Sequence, residues 1–218
     1  MTAPRRVWIT GIGIVTAAGI GVDAFRSGLR DGRSPVQRID RFDPSPFRSQ
    51  VAAQVDAFDP LAFMPADHVR RLDRFSQMGM AAGRLALDDA EFVPDGKGTA
   101  SAERTGIYLG SALGGIAYAE AQHERYLEKG IRQVAPNLAL AVFGGAAPAN
   151  LGIALDVRGP ILSTANSCAS GAVALGEALG DLREGRVDAA IAGRTLSTFG
   201  ALAEAVRASG ADATDRPT

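Results

Sequence analysis

The sequence predicts an α/β fold built on a mixed, mostly parallel sheet covered by helices, and three observations carry that prediction. Short runs dominated by apolar and small residues, at 7–10, 104–110, 161–164 and 188–193, have the composition of strands buried on both faces. These runs alternate with longer segments of helical periodicity. With 218 residues and no internal repeat or low-complexity tract, the chain has ample material for one core. Residues 1–207 are expected to form a single domain. The small, polar residues from Ala208 to Thr218 are expected to fray.

The amino-terminal segment begins with the strand Val7–Thr10, followed by a glycine-rich turn, Gly11 to Gly19. Gly11-x-Gly13 after a strand suggests a dinucleotide fingerprint, but the third glycine position is Thr16 and no helix starts there. A nicotinamide-binding reading is therefore disfavoured, and no cofactor or metal is called for. Arg5-Arg6 and the uncharged run Val7–Val22 mimic a secretory leader. That run is too short to span a bilayer and carries glycines at 11, 13, 19 and 21, so it reads as a buried strand and turn.

Asp23 to Asp31 is a short helix with Val22, Phe25 and Leu29 on one side, ended by Gly32. Ile39 to Pro65 is rich in turns, with a candidate strand at 49–55. The clearest amphipathic helix runs from Asp67 to Ala90, with Val69, Leu72, Phe75, Met78, Ala82, Leu85 and Ala86 on its apolar face. Its charges Arg70, Arg71, Asp73 and Arg74 read as a solvated face, and His68 as a surface residue. A polar loop at 94–102 leads to the strand Arg104–Gly110 and the turn Ser111–Gly115. Helices follow at Ile116–Lys129, carrying His123 on its surface, and at Leu138–Leu151.

The stretch Gly159–Gly171 reads as a breaker, a short apolar strand (Ile161–Thr164), a tight turn and a helix from Ala169 to Arg186. Asn166 or Ser167 can cap that helix, leaving Cys168 among its first backbone N–H groups. There the positive end of the helix dipole faces the sulfur, a setting in which cysteine acts as a nucleophile. Free cysteine more often packs as a small hydrophobe. Glycines at 171, 176 and 180, with Ala172, Val173, Ala174, Leu175, Ala178 and Leu179, suggest a helix buried all round.

Charge and composition exclude several classes. A net charge of −1 and 6% aromatic residues suit neither a nucleic acid nor a membrane surface as partner. One cysteine excludes an intramolecular disulfide framework and fits a reducing, cytoplasmic setting.

In order along the chain, Arg6–Gly13, Leu72–Gln77, Gly110–Gly115, Arg158-Gly159-Pro160, Ser167-Cys168-Ala169-Ser170-Gly171 and Asp188–Gly193 resemble the amino-terminal half of the β-ketoacyl-acyl-carrier-protein synthases, the condensing enzymes of fatty-acid and polyketide assembly. The resemblance implies half of a thiolase-like layered fold. It matches Cys168 to the nucleophile that takes the acyl chain from phosphopantetheine as a thioester, before a decarboxylated malonyl unit attacks it. The Cys168 N–H matches one oxyanion donor. Leu113 matches a position lining the acyl pocket. Implied partners are acyl-carrier protein, bearing phosphopantetheine-linked acyl and malonyl groups, and a second subunit in a homodimer or heterodimer.

The sequence also departs from the family. Its carboxy-terminal half, with two histidines, a lysine and a Gly-Phe-Gly loop, is expected to be absent, and His68 and His123 match neither histidine context. The family's Gly-Gly-Ala-Glu reads Gly193-Arg194-Thr195-Leu196 here, and Gly145 stands where many members carry asparagine. Two functions follow: an acyltransferase whose chemistry needs that second half, or a non-catalytic partner subunit that shapes chain length. The cysteine argues against the second, since such subunits often lack it.

Overall fold

The computed structural model describes residues 5–94 and 100–195. The expected tail and part of the loop at 94–102 lie outside them.

The expected strand at 7–10 does not form. Residues 5–14 belong to no strand or helix, and Trp8 and Ile9 are 73% and 83% exposed. An apolar, β-branched run becomes a strand only where a sheet edge receives it, and none does so here. The Ile12 N–H donates instead to the Asp89 carboxylate, at 2.8 Å. A Cβ at Gly11 would run into the Ala86 carbonyl, and one at Gly13 into the Ala82 carbonyl. The glycines that mimic a fingerprint therefore let two backbones cross.

A two-residue hairpin follows, β1 (Val15–Thr16) with β2 (Gly19–Ile20), then α1 (Val22–Arg30), beyond which Gly32 turns the chain at φ 64°. A second antiparallel pair joins β3 (Val36–Arg38), which the sequence did not suggest, to β4 (Val51–Ala53), inside the expected strand.

The long amphipathic helix is two helices, α2 (Ala66–Arg71) and α3 (Arg74–Asp89). Asp73 breaks it. Its backbone is extended, and its carboxylate accepts the Phe75 N–H as the cap of α3. Asp73 is thus buried, not part of a solvated face, and the buried face of α3 is Phe75, Ser76, Gly79, Met80 and Gly83. His68, on α2, is half-buried rather than at the surface.

The main sheet is three-stranded and parallel. Its centre is β5 (Thr105–Gly110), followed by α4 (Ile116–Lys129), α5 (Leu138–Val142) and α6 (Ala146–Leu155), the edge β6 (Ile161–Thr164), α7 (Ser170–Glu184), and the other edge β7 (Ala189–Arg194). The expected helix at 138–151 is broken at Phe143-Gly144-Gly145, where Phe143 is extended. β5 is buried along its whole length. Ile107 and Leu109 face a core built with Phe75, Met80, Ala147 and Leu151. Tyr108 points the other way, onto Ala174 and Ala178 of α7, small residues one turn apart that admit its ring. The Tyr108 hydroxyl donates to Asp181 at 2.5 Å, and Asp181 also pairs with Arg186 at 2.6 Å.

α7 is not buried all round. Leu175 is 53% exposed, nothing lies within 4 Å of a Cβ built at Gly176 or Gly180, and the outer edge strand β6 exposes Ile161 and Leu162. The small residues that read as signs of burial fit one face of the helix to β5 and leave the other open.

Candidate active site

Every main-sheet strand ends at one side. Gly110 pairs with Thr164 of β6 and with Arg194 of β7. Two hydrogen bonds carry the ladder one step further: Ser111 N–H to the Thr164 carbonyl and Thr195 N–H to the Gly110 carbonyl, both 2.9 Å. The loops beyond these ends converge, as they do at ligand sites of parallel sheets.

Cys168 stands in the loop after β6. The strand doubles back at once, with the Thr164 hydroxyl donating to the Ser170 carbonyl at 2.9 Å. Within this bend Ser167 takes φ 49°, the left-handed region, which costs a non-glycine residue about 1–3 kcal/mol. Ser167–Ala169 form a 3₁₀ turn, and α7 starts one residue later. Cys168 therefore precedes α7 rather than lying within its first turn, and the Asn166 side chain makes no cap. The thiol is free and exposed, not packed as a hydrophobe.

The turn is fixed from below and from the side. Ser170 is fully buried against the end of β5, its hydroxyl without a partner among the described residues. A Cβ at Gly110 would lie 2.6 Å from the carbonyl carbon, carbonyl oxygen and Cβ of Ser170. From the end of β7, Arg194 Nη1 donates to the Cys168 carbonyl at 3.3 Å.

Leu113 stands in the loop after β5, 40% exposed. The loop is anchored on both flanks. Gly114, at φ 60°, donates to the Ser111 hydroxyl at 3.2 Å, and Gly115 N–H donates to the Val142 carbonyl at 2.9 Å. Beyond Val142, Phe143 is 49% exposed and folds its ring over Gly145, whose Cβ would lie 2.5 Å from a ring carbon. An asparagine at 145 would displace that ring. Leu113 and Cys168 thus follow paired strand ends, with the exposed Phe143 in a third loop, tied to the Leu113 turn through Val142.

The carboxylates support this arrangement from behind. Asp73 accepts the Tyr118 N–H at 3.0 Å as well as that of Phe75, and ties the start of α4 to the start of α3. Burial pushes its carboxyl up, against the pull of these two bonds. Burial and the hydrogen bond to Asp181 push the Tyr108 phenol well above its usual range. His68 on α2 and His123 on the exposed side of α4 belong to none of the converging loops. Among the described residues no group of three or more His, Cys, Asp and Glu could hold a metal ion, and no helix is long and apolar enough to cross a membrane.

Sequence reasoning singled out Cys168 and Leu113; it did not anticipate the left-handed Ser167, the Phe143 ring over Gly145 or the contact of Arg194 with the Cys168 carbonyl. An arginine in place of a glycine at 194 was the available signal; backbone strain at 167 had none.

Residues 4–214 match the family described as "Beta-ketoacyl synthase, N-terminal domain". The chain is 33% identical over 191 residues to 3-oxoacyl-[acyl-carrier-protein] synthase 2 of Vibrio harveyi, covering 87% of this chain and 45% of that protein. It is 36% identical over 202 residues to the putative polyketide beta-ketoacyl synthase 1 of Streptomyces cyaneus, covering 88% and 46%. Among solved structures, the ishigamide ketosynthase/chain length factor superposes with a TM-score of 0.84 at 29% identity, over 98% of this chain and 53% of that one. The chain thus spans about half the length of its relatives.

Proposed function

We propose, from the premise that this chain belongs to the β-ketoacyl synthase family and carries its amino-terminal domain, that Cys168 is the acyl-accepting nucleophile of a 3-oxoacyl-acyl-carrier-protein synthase. The observation that carries this reading is the placement of a single exposed thiol on a strained turn, where three parallel strands end.

In the first half-reaction the Cys168 sulfur attacks the thioester carbonyl of an acyl group on a carrier protein. The new S–C bond forms as the phosphopantetheine thiol leaves with a proton. The Cys168 N–H would donate to the tetrahedral oxyanion, a contribution of about 3–4 kcal/mol where such donors have been removed. Leu113 would line the path of the acyl chain. In the second half-reaction a malonyl thioester loses CO2, and its enolate attacks the acyl-cysteine and expels the thiolate. That step needs more donors and a proton carrier. Neither histidine belongs to the loops around Cys168, so these groups belong to a carboxy-terminal half, encoded with this domain or supplied by a second chain. Among the described residues the outer edge of β6 is unpaired and one face of α7 is open, which supports a homodimer or heterodimer.

Intact-mass measurement after incubation with an acyl-loaded carrier protein tests the proposal. One acyl mass is expected on the wild type and none on Cys168→Ala. If no adduct forms even when the carboxy-terminal half is supplied, the acyl-enzyme reading fails and the non-catalytic partner subunit takes its place.

A further inference from the structure

Arg194 touches the turn that carries Cys168. It is the last residue of β7, in register with Gly110, and Thr195 behind it is buried with its hydroxyl donating to the Phe75 carbonyl at 2.6 Å. The base of the side chain is therefore fixed to both the sheet and α3. From there the side chain crosses the start of α7. A Cβ at Gly171 would stand 3.1, 3.2 and 3.3 Å from its Cγ, Cδ and Cβ, so the stem packs closely over the start of α7 and a side chain there would make it give by a few tenths of an ångström. At its end Nη1 meets the Cys168 carbonyl. Arg194 has no carboxylate partner among the described residues, while Arg104, Arg158 and Arg186 each have one.

We propose that Arg194 is a positioning residue for the nucleophile, a clamp on the Cys168 carbonyl that holds the peptide unit, and with it the thiol, in one orientation. A 3₁₀ turn containing a left-handed serine has a low-cost way to relax, by rotating the peptides around 167 and 168. The guanidinium opposes that rotation with a charge-assisted hydrogen bond from a planar, pre-organised donor. A residue without a side-chain donor at 194 could make no such bond. The inference rests on Cys168 being the acyl acceptor.

The test is single-turnover acyl loading of Cys168 by intact mass, in the full chain with its carboxy-terminal half supplied, across a range of acyl-carrier concentrations. Arg194→Ala is expected to lower the saturating rate about 10-fold and leave the half-saturating concentration unchanged, with Arg194→Lys restoring most of the rate. Gly171→Ala, which crowds the stem, is expected to give a smaller loss in the same direction. The double variant should be no worse than Arg194→Ala alone, because both act on one contact. Wild-type loading rates in Arg194→Ala, or additive losses in the double variant, would overturn the clamp. If the wild type does not load at all, the acyl-enzyme reading fails instead. Iodoacetamide labelling of Cys168 then still tests the clamp: equal rates in wild type and Arg194→Ala refute it, and a changed rate that Arg194→Lys restores supports it.

Discussion

Gly110→Ala measures how tightly the sheet holds the nucleophile turn. A Cβ there would stand 2.6 Å from three atoms of Ser170, two of them backbone. Comfortable carbon contacts lie at about 3.5–4.0 Å, so strand and helix must separate by about 1 Å. Overpacking of a closed core costs about 1–3 kcal/mol, and a clash with backbone belongs at the upper end. Reduced freedom of the unfolded chain returns about 0.4–1 kcal/mol. The net expectation is a loss of about 2 kcal/mol. Gly176→Ala is the matched control, since nothing lies within 4 Å of its Cβ and it sits mid-helix in α7. It should gain about 1 kcal/mol. Urea denaturation would read both, with midpoints moving in opposite directions by about 0.5–1 M at m values typical of urea. Because Ser170 lies two residues after Cys168, Gly110→Ala should also slow alkylation or acyl loading of the thiol, to an extent bounded by the roughly 100-fold that a 1 Å misplacement can cost. If Gly110→Ala changes neither midpoint nor thiol reactivity, Ser170 does not bear on β5 and the account of the turn is wrong.

Asp73→Ala removes both the cap of α3 and the bond to Tyr118, and should cost about 3 kcal/mol by denaturation. Asp73→Asn can still cap Phe75 but presents an amide to the Tyr118 N–H, so a smaller loss is expected; equal losses would show that the second bond is inert. Tyr108 gives stability a pH dependence. Its folded pKa is raised above the ordinary value of about 10, so the folded form keeps the proton longer; stability is full below that pH and falls as pH rises beyond it. Urea midpoints from pH 8 to 11 should show the decline, and Tyr108→Phe should flatten it. Gly13→Ala sets a side chain against the Ala82 carbonyl and should detach the amino-terminal segment from α3, read as faster proteolysis ahead of residue 13.

What the sequence made legible follows from where its signals are local. The helix expected at Ile116–Lys129 matches α4 residue for residue, because Gly115 and Gly130 bound a continuous pattern. β5 and β7 could be read because both are apolar on two faces. The broken helices hid their breaks: the apolar period runs on through Asp73, and a cap looks like any other charge until its backbone is seen. Exposure of residues 7–10 and of α7 was beyond reach for a different reason. Composition tells how much apolar surface a segment carries, not whether anything covers it. Cys168 stood out by type, but its setting ahead of α7 rather than in the helix's first turn did not, and Arg194 and Ser167 bear on it through backbone features that no spacing rule encodes.

The sheet order β6-β5-β7 ties the turn that carries Cys168 to closure of the whole sheet. Among the described residues β6 and β7 each pair with β5 and not with each other, and α7 spans the central strand between them. Until β5 has been threaded between its two neighbours, Ser170 has nothing to rest on and Arg194 has no fixed base, so residues 165–169 are an ordinary flexible loop. Such non-local parallel pairing forms slowly. The rate at which Cys168 acquires its native reactivity during refolding should therefore serve as a clock for closure of the whole sheet, lagging behind the appearance of helix.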